Sequence, residues 1–207
     1  MVGAHGLHST SRLALGSLSQ LVATQAPCSV RIVHEKPEDV SSSPRIVIGV
    51  DGSAFSYEAL DEVASRNWKK GMAIHLITVT DSRMMTAMFS SEKMLRELLE
   101  KTPEDRWAKR LIDHATHKLS SGGFTVTSFN KEGDPKKVLL EEAQRWGADC
   151  LFVGARGLSG IKYALIGSVS ASLAARADFT VEIVRHSKIT EPKKTTTETV
   201  SSVRSVN

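Results

Sequence analysis

The sequence predicts an α/β fold: an open, mostly parallel sheet with helices on both faces, Rossmann-like in plan. Three observations point to it. Short, nearly all-apolar runs such as residues 45–50 (RIVIGV) suit strands buried on both faces. Helical stretches opened by Ser, Thr or Asp and closed by Gly separate them. The two kinds of segment alternate from residue 45 to residue 185. Right-handed crossovers leave few topologies. Ligands of such sheets bind beyond the carboxyl ends of the strands, where the strand order reverses.

Each element has its own signal. Residues 45–50 form the first strand, and Asp51, Gly52 and Ser53 the turn after it. Ser53 or Ser56 caps a helix running to about Lys70, and Gly71 closes it. Residues 73–79 (AIHLITV) are the second strand, and residues 90–101 read as helical. Thr102 as N-cap and Pro103 at the first helical position restart a helix that runs to Gly122. Residues 124–129 alternate as a third strand. Asp134 and Pro135 open a helix that ends at Gly147. Residues 149–153 are the fourth strand. Gly167 and Ser168 start a last helix to about Arg176, and residues 180–184 are the fifth strand.

An internal repeat organises the rest. Residues 2–34 align without a gap on residues 153–185, with Gly16 on Gly167. Val2/Val153, Gly3/Gly154, Gly6/Gly157, Ser17/Ser168, Val30/Val181 and Val33/Val184 are identical. Residues 1–34 therefore read as the closing part of one domain and residues 45–186 as the whole of the next. A polar linker, residues 35–44, joins them, and residues 187–207 form a Thr-, Ser- and Lys-rich tail expected to be disordered. The segment from Arg12 to Ala26 loosely imitates a signal or transit peptide. Ser17, Ser19 and Gln20 break its apolar run at spacings that suit an amphipathic helix, and the repeat explains the same residues.

Composition excludes several classes. The chain has 207 residues, 41% hydrophobic, and no apolar run near the ~20 residues of a membrane span. Its net charge of +4 arises at the ends: residues 1–34 and the tail from Lys188 each contribute +2, leaving the body neutral. That argues against a nucleic-acid binder, whose positive charge belongs on the folded domain. Cys28 and Cys150 form no C-x-x-C pair and read as reduced, packed thiols of a cytoplasmic protein.

The loops at the switch point carry the chemistry. After strand four come Gly154, two residues, Gly157, nine residues, then Gly167 and Ser168 at a helix start. Glycines let a backbone approach phosphate oxygens, and the helix start offers N–H groups without intrahelical partners. Ser168 and Ser170 add hydroxyls and Arg156 a charge, with Val153 and Val169 flanking them. Asp51, after Val50 at the end of strand one, lies across the switch point, placed to accept hydrogen bonds from a ribose or base. The alternative is an Asp-Gly turn with a capping role. Val79 ends strand two, where its backbone suits an adenine edge.

These residues resemble the universal stress protein family over the whole of residues 45–185, and residues 2–34 resemble the end of another copy. ATP-binding members share G-x2-G-x9-G-[S/T], intact here as Gly154, Gly157, Gly167 and Ser168. The family's aspartate matches Asp51, and Gly133-Asp134-Pro135 resembles its turn before the third helix. The resemblance implies five parallel strands in the order 3-2-1-4-5. It also implies ATP as ligand, with Mg2+ left open. Asp51 and Val79 would hold adenosine, with Val50, Gly52 and Ser53 beside them. Gly154, Gly157 and Gly167 to Ser170 would hold ribose and phosphates. It further implies pairing through the fifth strand, as a homodimer or within one chain. The first copy has His5, Gly6, Gly16 and Ser17 but no first strand or aspartate, so a complete second site is impossible within this chain.

Other constellations fall short. No P-loop G-x-x-x-x-G-K-[ST] exists. Ser120 to Gly123 follows a helix and reads as a C-cap. His114 and His117 lack a third ligand and read as a solvated face. Met84, Met85, Met88 and Met94 suit packing better than a promiscuous patch. The function expected is a stress-linked module that holds ATP. The alternatives are a slow ATPase or autophosphorylating enzyme, for which no general base can be named, and an interaction module with another ligand.

Overall fold

The computed structural model describes residues 1–4, 15–34, 43–68, 71–81, 103–158 and 166–185. The strands are β1 (Val2–Gly3), β2 (Val30–Val33), β3 (Arg45–Gly49), β4 (Ala73–Thr80), β5 (Thr125–Glu132), β6 (Cys150–Gly154) and β7 (Thr180–Val184). The helices are α1 (Ser17–Gln25), α2 (Ala54–Ser65), α3 (Pro103–Ser121), α4 (Pro135–Trp146) and α5 (Ser168–Arg176). All seven strands form one sheet in the order β1-β2-β7-β6-β3-β4-β5. The body contributes β7-β6-β3-β4-β5, mutually parallel. That is the expected strand order, 3-2-1-4-5, read from the opposite edge.

The expected count of five strands is too low. The N-terminal segment adds two: β2 lies antiparallel on β7, and β1 lies parallel on β2. Without β2 the β7 edge would present unpaired N–H and C=O groups, and β2 supplies partners for them.

Alternation along the strands fills two layers. Ile46 and Ile48 of β3 face Leu60 and Val63 of α2 and Leu111, Ala115 and Leu119 of α3. Val47, with Leu151 and Val153 of β6, faces Leu139 and Ala143 of α4 and Leu173 and Ala174 of α5. Val30 and Ile32 of β2 and Ala23 of α1 belong to this second cluster, so the core runs unbroken across the β2–β7 seam. Among the described residues no helix is long and apolar enough to cross a membrane.

The N-terminal segment repeats the closing part of the body bond for bond. Ala4 N–H donates to Val33 O at 2.9 Å, and Ala155 N–H to Val184 O at 2.7 Å. Gly16 N–H donates to Ala4 O at 2.9 Å, and Gly167 N–H to Ala155 O at 2.6 Å. Ser19 Oγ donates to Gly3 O and Ser170 Oγ to Gly154 O, both at 2.6 Å.

Several boundaries differ from expectation. Helix α2 stops at Ser65 instead of reaching Lys70. Arg66 turns extended there (φ −78°, ψ 148°), and its guanidinium reaches Glu62 and Glu182. The Trp68 indole then donates to Val63 O at 2.8 Å, satisfying a carbonyl of the last turn. Strand β5 continues through Asn130, Lys131 and Glu132, polar residues that ladder onto β4 up to Thr80. Cys28 is exposed instead of packed. Burial pushes the Cys150 thiol up to about 12, which leaves it inert. The helix expected over residues 90–101 and the four methionines lie outside the described residues, as do the linker's residues 35–42 and the tail.

Candidate functional site

Strand β3 lies between β4 and β6, so the chain order reverses beside it, and a cavity of about 400 Å³ opens there at the carboxyl ends of the strands. Its walls include Val50, Asp51, Val79, Val153, Gly154, Arg156, Gly157, Gly167, Ser168, Val169 and Ser170. Sequence reasoning nominated all of these. Gly52 and Ser53, also nominated, do not line it. Gly52 (φ +77°) turns the chain against Trp107, whose ring a Cβ there would meet at 3.1 Å. Ser53 caps α2, its Oγ accepting from Ser56 N–H at 3.2 Å and donating to Arg156 O at 3.3 Å.

The glycine loop is held by specific contacts. Asp51 Oδ1 accepts from Ser53 N–H and Oδ2 from Leu158 N–H, both at 3.0 Å. Asp51 therefore ties the turn after β3 to the loop after β6, and each oxygen retains a second lone pair. A Cβ on Gly157 would stand 2.5 Å from Asp51 Oδ2. A Cβ on Gly154 would stand 2.6 Å from the Phe55 carbonyl carbon, so that glycine lets β6 approach the start of α2. Gly167 is different. Its nearest neighbours to a Cβ lie at 3.4 Å, and its φ of −77° is open to any residue.

The two ends of the cavity differ in polarity. Gly167, the N-cap of α5, makes no side-chain capping bond. The first intrahelical bond runs from Ala171 N–H to Gly167 O, at 3.0 Å, so the N–H groups of Ser168, Val169 and Ser170 begin the helix without intrahelical acceptors. The positive end of the helix dipole lies there. The Arg156 guanidinium sits 4.4 Å from the Phe55 ring centroid and brings a cation to the rim. Ser170 donates its hydroxyl hydrogen to Gly154 O and so acts as a brace within the loop. Ser168 is exposed.

The opposite end is apolar. Ile77, Pro135, Leu139 and Ile166 line it with Val79 and Val153. Sequence reasoning missed these four, along with Gly49, Ser56 and Ala171. Pro135 and Leu139, one turn apart on α4, carried the only available signal, since the Asp134 cap aims that helix at the switch point. Val50 N–H donates to Ile77 O at 2.9 Å, and the last β3–β4 pair is Gly49 with Ile77. Two residues on, Val79 directs its N–H and C=O to the same edge, beyond the end of β3.

His114 and His117 lie on α3, and His114 meets the Tyr57 ring edge-on at 5.8 Å. Among the described residues no three His, Cys, Asp or Glu side chains converge. Ser120 to Gly123 forms the end of α3, with Gly122 N–H on Leu119 O and Gly123 (φ +84°) N–H on Ser120 O.

The model of the universal stress protein family matches residues 43–185. The chain belongs to that family. Universal stress protein YxiE of Bacillus subtilis (strain 168) is 25% identical over 147 residues, covering 68% of this chain and 98% of its own. Among solved structures, the universal stress protein family protein At3g01520 of Arabidopsis thaliana, with AMP bound, superposes at a TM-score of 0.53 and 20% identity. It covers 73% of this chain and 97% of that one. PA1789 of Pseudomonas aeruginosa PAO1 gives a TM-score of 0.59 at 14% identity, over 88% of this chain and 61% of that one. At these identities the two structures show a shared fold. The universal stress protein match begins after the N-terminal segment, so β1, α1 and β2 are additions to the body it defines.

Proposed function

We propose that this universal stress protein domain is an ATP-binding module of the stress response. One observation carries the reading: an apolar cavity at the switch point ends on the uncapped start of α5. Adenine suits the apolar end, with the Val79 backbone at its edge. Phosphates suit the N–H groups of Ser168, Val169 and Ser170 and the charge of Arg156. A volume of about 400 Å³ lies in the usual range for small-molecule sites, roughly 300–1,000 Å³. The AMP carried by the Arabidopsis protein of similar fold supports a nucleotide. Asp51 is the only carboxylate lining the cavity among the described residues. Any Mg2+ would therefore arrive on the phosphates instead of being held in a protein cage. Both Asp51 oxygens already accept backbone hydrogen bonds, which favours binding over turnover.

The repeated bonding supports a division of the chain into the close of a preceding domain (residues 1–34), a linker (35–44), a complete domain (45–186) and a tail. The exposed free thiol of Cys28 suits a reducing compartment such as the cytoplasm.

Nucleotide released from the purified chain and identified by mass should be ATP, and calorimetric titration should show ATP binding that Gly157→Val abolishes. ADP accumulating on incubation would turn the reading to a slow ATPase. No nucleotide and no heat, or unchanged affinity in Gly157→Val, would overturn it.

A further inference from the structure

The β2–β7 seam has a centre, and the centre is charged. Its register pairs Val30 with Ile183, Arg31 with Glu182 and Ile32 with Val181. In the gapless alignment that puts Gly16 on Gly167, Val30 corresponds to Val181, Arg31 to Glu182 and Ile32 to Ile183. Each residue of the seam thus faces the counterpart of its own mirror position. A pseudo-two-fold axis passes between Arg31 and Glu182, where the two copies carry opposite charges.

Among the described residues, the body alone is short of a cation at this point. The Glu182 side chain is 4% exposed, and Glu182 and Glu62 share the single Arg66 guanidinium. Arg31 supplies the second, with Nε 2.7 Å from Glu182 Oε2. Pairing of β7 with another β7 about the same axis would bring Glu182 against Glu182, four carboxylates against two guanidinium groups. Like charges directly opposite destabilise a strand pair, and a buried carboxylate left short of partners is costly. The apolar positions do not discriminate, because Val and Ile face each other in either pairing.

We propose that the Arg31/Glu182 charge reversal makes the β7 edge selective for β2 and unfit to pair with a second β7. The seam is thereby committed to two unlike strands, although its backbone geometry is that of a symmetric dimer.

Hydrogen exchange on the full chain tests this through Arg31, whose half-exposed side chain can be changed without disturbing the body. Arg31→Lys should keep the protection of residues 30–33 near the wild-type level. Arg31→Met should lower it about tenfold and Arg31→Glu about a hundredfold, with β3 and β4 unaffected. Arg31→Glu frees the β7 edge, yet the amides of Val181 and Ile183, which face β2 where those of Glu182 and Val184 face β6, should stay unprotected at any chain concentration. Equal loss in Arg31→Met and Arg31→Glu, or none in either, would overturn the proposal. So would an Arg31→Glu dimer that protects the amides of Val181 and Ile183.

Discussion

Glycine is required at two positions of the loop after β6 by the packing of the protein itself. Gly154 admits the Phe55 backbone, and Gly157 admits the Asp51 carboxylate. Gly167 has room for a methyl group and an ordinary φ. Gly154→Ala should therefore overpack the β6–α2 contact and cost about 1–3 kcal/mol, a fall of several degrees in melting temperature. Gly167→Ala should remain within about 0.5 kcal/mol of wild type. Thermal melts of the two variants check this directly, and equal losses would contradict the geometry. Asp51 shows how far a single residue was legible. Its place after the first strand follows from the sequence. Its bond to Leu158, 107 positions on, does not, because only the fold brings those loops together.

Between elements, β4 meets α4 through an aromatic stack. The His75 ring lies over Trp146 with centroids 3.5 Å apart and a 15° tilt, and it meets Phe129 edge-on at 5.1 Å. Burial lowers the His75 pKa below its usual 6.5, and the charge of Glu142 offsets this only in part. The unfolded chain thus takes up a proton at a pH where the folded chain still resists it. Stability is full above about pH 6.5 and falls as the pH drops below it. The melting temperature should decline from pH 7 to pH 5, and His75→Phe should flatten that decline while keeping the stack. An unchanged slope would remove His75 as its origin. The elements themselves were largely legible, because apolar runs, the Asp134 cap and Gly147 are local signals. The extension of β5 was not, since Asn130, Lys131 and Glu132 become strand only by pairing with β4. Nor was the early end of α2, where Arg66 leaves the helix for Glu182, a partner distant in sequence. The apolar end of the cavity was hidden for a similar reason: Ile77 and Leu139 belong to the core and become walls only where β3 stops.

Across the whole molecule, β2 runs opposite to β3, so the end of the former and the start of the latter lie at the same end of the sheet. Only β7 and β6 separate them, a gap of about 14 Å at ordinary strand spacing. The intervening stretch of about ten residues can reach ~35 Å. The N-terminal segment is therefore a tethered ligand of its own body, held at an effective concentration on the order of millimolar. A protease cut within residues 35–42 leaves the described contacts of the seam in place, yet it converts a closure inside one molecule into an encounter between two. Cut chains diluted below micromolar should release residues 1–34 on gel filtration, while uncut chains retain them at any dilution. A fragment that still co-eluted at nanomolar concentration would mean that the seam holds without its tether. The short connection thus makes the seam a contact that dilution cannot break, whatever its affinity between separate chains.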